Sequence, residues 1–147
     1  MPKVTNICSD EAEAIQELPP NTVLISIGEE SEDFWNLKVD GEKVLKLKFS
    51  DVRALTKHAG AYYRPIKVEQ AHEIINFIQK WNGCDFIVNC AAGISRSGAI
   101  AMFLHLHFGY ELKPNFYKLS EPNPFVLGLL IVEFYKSNMN IYEHNNQ

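Results

Sequence analysis

The segment from Phe86 to Phe108 constrains the fold more than any other part of the chain. Phe86-Ile87-Val88 is a short apolar run flanked by turn signals. It is too short for a helix and reads as a buried strand. Small residues from Asn89 to Ser97 read as a loop. No charged residue then occurs between Arg96 and Glu111, which predicts a largely buried helix from about Ser97 to Phe108. A strand feeding a buried helix through a tight loop is a building unit of α/β domains.

The rest of the chain repeats this alternation. Ser9 is placed to cap a short helix through Leu18, with Asp10 and Glu11 in its first turn. Pro19-Pro20-Asn21 breaks that helix, and Val23 to Ile27 reads as a buried strand ending at Gly28. Glu29 to Asp33 reads as an acidic surface loop. Asp40-Gly41, within Val39 to Lys43, is a hairpin signal. Val44, Leu45, Leu47 and Phe49 form a strand with Lys46 and Lys48 turned outward, stopping at Ser50-Asp51. Val68, Ala71, Ile74, Ile75, Ile78 and Trp81 mark one face of an amphipathic helix that Asn82-Gly83 ends. Pro114 and Pro122-Asn123-Pro124 break the chain again. A last helix, from about Pro124 to Ser137, carries Phe125, Leu129, Val132 and Tyr135 on one face.

Strands alternating with helices predict a single α/β domain over 1–147, with a mostly parallel central sheet flanked by helices. The core is expected at about 4–138 and a frayed polar tail at 143–147. In such sheets ligands bind beyond the carboxyl ends of the strands. Cys90 and Asp51 both fall at such ends.

Composition narrows the function classes. A chain of 147 residues can bury one core, and 46% apolar with 22% charged residues is a globular balance. Eighteen acidic against fourteen basic residues give a net charge of −4, and no dense Lys/Arg run marks a nucleic-acid or membrane surface. The N-terminus lacks a signal-peptide core, and no run of about 18 apolar residues could span a bilayer. Cys8, Cys84 and Cys90 have neither metal-ligand spacing nor the pattern of a disulfide framework. No metal or cofactor is expected, and the reducing cytoplasm is the default compartment. A Cys84–Cys90 bond is excluded within one straight strand. Six residues span about 20 Å, against about 4–7 Å between bridged Cα atoms. Cys8 could neighbour Cys90 on an adjacent strand.

The loop itself carries the chemistry. In Cys90-Ala91-Ala92-Gly93-Ile94-Ser95-Arg96-Ser97-Gly98 a strand delivers a thiol to a loop of small residues at a helix N-terminus. Successive N–H groups in such a loop can form an anion nest, and the helix dipole adds partial positive charge there. Arg96 adds a planar fork suited to two phosphate oxygens. With no substrate bound, the anion in the cradle is the Cys90 sulfur, which is expected to be a nucleophilic thiolate near neutrality. With phosphate bound, the same groups hold its equatorial oxygens and oppose the charge that develops in transfer.

Ile87-Val88-Asn89, followed by Cys90 to Gly98, resembles the phosphate-binding loop of the protein-tyrosine and dual-specificity phosphatase superfamily. The resemblance implies a tyrosine-phosphatase-like fold and a phosphocysteine intermediate on Cys90. It implies phosphate binding by Arg96 and by the amides of Ala91, Ala92, Gly93, Ile94, Ser95 and Arg96. It also implies a Ser97 hydroxyl that eases departure of the sulfur. The family uses an aspartate on a separate upstream loop, and Phe49-Ser50-Asp51-Val52 occupies that place. Asp51 is therefore the candidate general acid, a role worth about 10²–10⁴-fold, although an Asp after a strand is also a common helix cap. The resemblance runs from about Val44 to Leu130, Pro122-Asn123-Pro124 included. The family's usual His before the cysteine is Asn89 here, which is expected to change the thiol's acidity rather than abolish activity.

Other polar residues read as structural. His105 and His107 face different directions on one helix and read as satisfied core or edge residues; His58 and His72 read as surface residues. Lys57, His58 and Arg64 could touch an anionic substrate, but a solvated loop is the simpler reading. Tyr62-Tyr63 could line a pocket or pack. Asp85 opens a strand and Glu73 lies on a polar helix face, so both are poorer acids than Asp51. The expected substrate is a phosphorylated protein or peptide, at tyrosine and also serine or threonine. Lysines that mark phosphoinositide-directed relatives are absent from the loop, and an RNA 5′-phosphatase would be more basic. A binding module without turnover and a sulfurtransferase are the alternatives from other classes.

Overall fold

The computed structural model describes residues 1–30 and 36–145, with side chains through position 139. Among the described residues, five strands form one sheet: β1 (Lys3–Ile7), β2 (Thr22–Gly28), β3 (Val44–Lys48), β6 (Asp85–Asn89) and β7 (Glu111–Leu112). Their order is β3-β2-β6-β1-β7, and every neighbouring pair is parallel. A separate antiparallel hairpin joins β4 (Thr56–His58) to β5 (Ala61–Tyr63). The helices are α1 (Ser9–Glu13), α2 (Val68–Lys80), α3 (Arg96–Phe108), α4 (Phe116–Leu119) and α5 (Pro124–Asn145). The expected α/β domain with a parallel central sheet flanked by helices is thus observed. Among the described residues, no helix is long and apolar enough to cross a membrane.

Strand alternation decides what the sheet buries. Val4, Phe86 and Val23 share one row, as do Val88 and Ile25. They meet Ala71, Ile74, Ile75 and Ile78 of α2, Ala99, Ile100, Phe103 and Leu104 of α3, and Val126 and Leu130 of α5 in one core. Each large apolar side chain buried there stabilises the fold by about 1.5–3 kcal/mol.

Several expectations need correction. The first helix stops at Glu13 rather than Leu18, and Cys8, not Ser9, is its N-cap. Ser9 is drawn away instead, its N–H and Oγ both bonded to Ala91 O. Asp40-Gly41 makes a turn but no hairpin. Asp40 accepts the Gly41 N–H and pairs with Lys46, while β3 takes β2 as its parallel partner. Val68 is 45% exposed, and Phe77 takes a place on the buried face of α2.

The last helix is rotated from its expected face: Val126, Leu130 and Glu133 are buried, while Val132 and Tyr135 are about half exposed. Asn123 sets that rotation by accepting the Phe125 and Val126 N–H groups on its Oδ1. The helix also runs past its expected end at Ser137 to Asn145; 146–147 lie outside the described residues. His72 is half exposed but bonded, its Nε2 lying 3.0 Å from Glu133 Oε1. His105 Nδ1 lies 2.7 Å from Tyr110 O, which satisfies it, and His107 packs its ring on Phe103 and Phe134.

Candidate active site

The parallel sheet brings several chain segments to one edge. Asn89 is level with Ile7 and with Ser26, so Cys8, Cys90 and Gly28-Glu29 leave the carboxyl ends of adjacent strands together. Phe49-Ser50-Asp51 leaves β3 at the same edge. Cys90, Ser95, Arg96, Asp51 and Asn123 line one open cleft of about 430 Å³ there. Cys90 is only 2% exposed, which puts its sulfur on the cleft floor.

The loop is held by its carbonyls. Ala91 O accepts from Ser9 N–H at 3.1 Å, Ile94 O from Glu121 N–H at 3.1 Å, and Ser95 O from Asn123 N–H at 3.0 Å. Gly93 O accepts from Asn6 Nδ2 at 2.9 Å. In a trans peptide the N–H points opposite to the preceding C=O. The N–H groups of Ala92, Ile94, Ser95 and Arg96 are therefore turned away from those anchors. Among the described residues, none of these four donates to the protein. Gly93 permits the turn with φ +73°, and a Cβ there would collide with the Ile7 carbonyl carbon. Gly98 is less constrained, since a Cβ would meet nothing closer than 3.6 Å.

Arg96 is 4% exposed and is gripped from behind. Its Nη1 donates to Phe49 O at 2.9 Å and pairs with Glu29 Oε1 at 2.7 Å. Glu29 Oε2 in turn accepts from Ser50 Oγ at 2.8 Å. Arg96 Nε is buried and has no partner among the described residues. A buried charged donor left unpaired costs stability unless a ligand completes it. Glu29 is thus not the solvated loop residue its acidic neighbourhood suggested, because it is the counter-charge of Arg96. Ser31, Glu32 and Asp33 lie outside the described residues.

Ser97 Oγ lies 3.1 Å from Cys90 Sγ and is fully buried with it. Asp51 Oδ1 accepts from Ser95 Oγ and from Asn123 Nδ2, both at 2.8 Å. Asp51 is therefore tied to the loop rather than capping a helix, and Oδ2 is left for the cleft. Asn123 was legible only as a chain break between two prolines, although Asn before a helical Pro is an N-cap signal. Asn6 and Glu29 gave no signal beyond their polarity.

Other candidates lie elsewhere. Asp85 Oδ1 accepts the Lys3 N–H at the opposite end of the sheet. Lys57, His58 and Tyr62 are exposed on the β4–β5 hairpin, and Tyr63 is half-buried there. All three cysteines are free, and Cys8 Sγ donates to Glu11 Oε1 at 3.4 Å. Asn89, fully buried, has no partner for either side-chain polar atom among the described residues. No protein-family model matches the chain and no curated protein matches it, so the chemistry of the cradle rests on these atoms alone.

Proposed function

We propose that this chain is a cysteine-dependent phosphatase of tyrosine-phosphatase-like fold that hydrolyses phosphate monoesters. The Cys90 thiolate attacks phosphorus, the P–O bond to the leaving group breaks, and protonated Asp51 gives its proton to the departing oxygen. Water then attacks the phosphocysteine, Asp51 takes the proton, and the S–P bond breaks with a hydrogen bond from Ser97 to the sulfur. The products are an alcohol or phenol and inorganic phosphate. One observation carries the reading: Cys90 lines an open cleft, the loop that follows it turns four N–H groups away from its anchored carbonyls, and Arg96 in the same cleft keeps a buried Nε without a partner among the described residues. That is the donor set a trigonal PO₃ group in transfer requires.

Phosphotyrosine in proteins is the proposed substrate, with phosphoserine and phosphothreonine also accepted. A reducing compartment such as the cytoplasm suits the free thiols. The test is hydrolysis of p-nitrophenyl phosphate by wild type and Cys90→Ser. Turnover by wild type alone is expected. No turnover by wild type, with phosphate still bound, would make this a binding module instead.

A further inference from the structure

A second cavity, of about 430 Å³, opens where β7 gives way to α4, and it shares no lining residue with the catalytic cleft. Small-ligand sites span about 300–1,000 Å³. Leu112, half-buried, and Phe116, 2% exposed, supply its apolar part. Tyr117, 73% exposed, adds a ring that meets Phe116 edge-on at 5.4 Å between centroids. Lys113, Lys118 and His105 also line it, and no acid among the described residues does. On a chain of net charge −4 this is a local reversal of sign.

The two lysines are placed differently. β7 pairs Glu111 and Leu112 with Lys3 and Val4, and Pro114 has no N–H with which to extend that ladder. Lys113 reaches beyond the paired residues instead, and its Nζ donates to Asn6 O at 2.7 Å. An ammonium has three donors, so this bond fixes the cation and leaves two donors to give. Lys118 is exposed, and neither lysine has an acidic partner among the described residues. His105 is held through Nδ1, 2.7 Å from Tyr110 O.

We infer that this cavity binds a small organic acid. Lys113 and Lys118 hold its carboxylate, and a ring-sized apolar body sits on Leu112, Phe116 and Tyr117. An inorganic anion would leave the apolar surface wet, and a neutral ring would leave both cations without a counter-charge. The fixed Lys113 reduces the ordering that binding requires. Lys118 is exposed, so its removal is expected to weaken binding only about two- to fivefold, and its reversal to an acid more than that. The site is independent of the phosphatase reading.

The experiment titrates the isotope-labelled full chain with naphthaleneacetate and follows backbone amide shifts by NMR. Saturable shifts should gather at residues 112–118. Acetate, which lacks the ring, and naphthylmethylamine, which reverses the charge, should each bind at least fivefold more weakly. Lys118→Glu should keep the spectrum of a folded chain and weaken naphthaleneacetate by more than fivefold. Shifts that are absent, spread over the surface or centred on the catalytic loop would overturn the site. So would equal affinity for acetate or for the amine, or an affinity unchanged by Lys118→Glu. Turnover plays no part in the readout, so this site and the phosphatase reading stand or fall separately.

Discussion

Asn123 donates from Nδ2 to Asp51 Oδ1 at 2.8 Å while its own Oδ1 accepts the first free N–H groups of α5. One buried amide therefore fixes both the candidate acid and the rotation of the last helix. Asn123→Ala should cost about 1 kcal/mol as a lost cap. It should also lower kcat by on the order of 10²-fold, the scale of a misplaced reacting group. The kinetic loss should be large for phenyl phosphate and small for p-nitrophenyl phosphate, whose leaving group needs less protonation. Asn123→Asp keeps the cap without the donor and should retain the kinetic loss alone. Equal losses on both substrates would remove Asn123 from acid positioning.

The proposed mechanism assigns Ser97 to the second step. Ser97→Ala should leave formation of the phosphoenzyme intact and slow its breakdown by about 10²-fold, the scale of one lost oxyanion donor. Rapid mixing with p-nitrophenyl phosphate should then show a burst of p-nitrophenol equal to the enzyme concentration. A slow first turnover with no burst would count against this role.

Glu29→Ala sets two effects against each other. Losing a nearby negative charge favours anion binding, but at a partly exposed pair that is worth less than about 1 kcal/mol. Losing the charged hydrogen bond that fixes the guanidinium costs about 1.5–3 kcal/mol. The second effect wins, so the variant should melt at lower temperature and bind inorganic phosphate about tenfold more weakly. Tighter phosphate binding would show that Glu29 is only a counter-charge.

Tyr110 gives an alkaline signature far from the site. Its hydroxyl donates to Cys84 O at 2.7 Å and accepts the Gly83 N–H at 3.0 Å. Burial pushes the phenol above its ordinary value of 10.0. Folding therefore favours the protonated form. The associated stability is complete below pH 10 and is lost as pH rises toward the raised value. Urea unfolding from pH 8 to 11 should show wild type losing that increment while Tyr110→Phe does not. At pH 8 the variant should be less stable by about 1–3 kcal/mol, because Gly83 N–H and Cys84 O lose their partner.

The readable part of the sequence was the part where residue type admits few conformations. A short apolar strand, a glycine turn and an uncharged helix leave few alternatives, so the Cys90 to Gly98 cradle was visible at once. β1 was not, because Lys3-Val4-Thr5-Asn6-Ile7 alternates only weakly and buries the polar Asn6. The face of α5 was missed for a different reason. Apolar residues lie on more than half its circumference, so periodicity cannot choose a face and the Asn123 cap does. Glu29 looked like its acidic neighbours because its partner lies 67 positions away, beyond any local pattern (29 and 96).

The four anchored carbonyls of the loop have a consequence for folding. Their donors come from Asn6 and Ser9 near one end of the chain and from Glu121 and Asn123 near the other. A half-assembled chain cannot present the cradle, so catalytic competence is a late and global property. Recovery of turnover on refolding should trail the appearance of helix and coincide with closure of the whole domain.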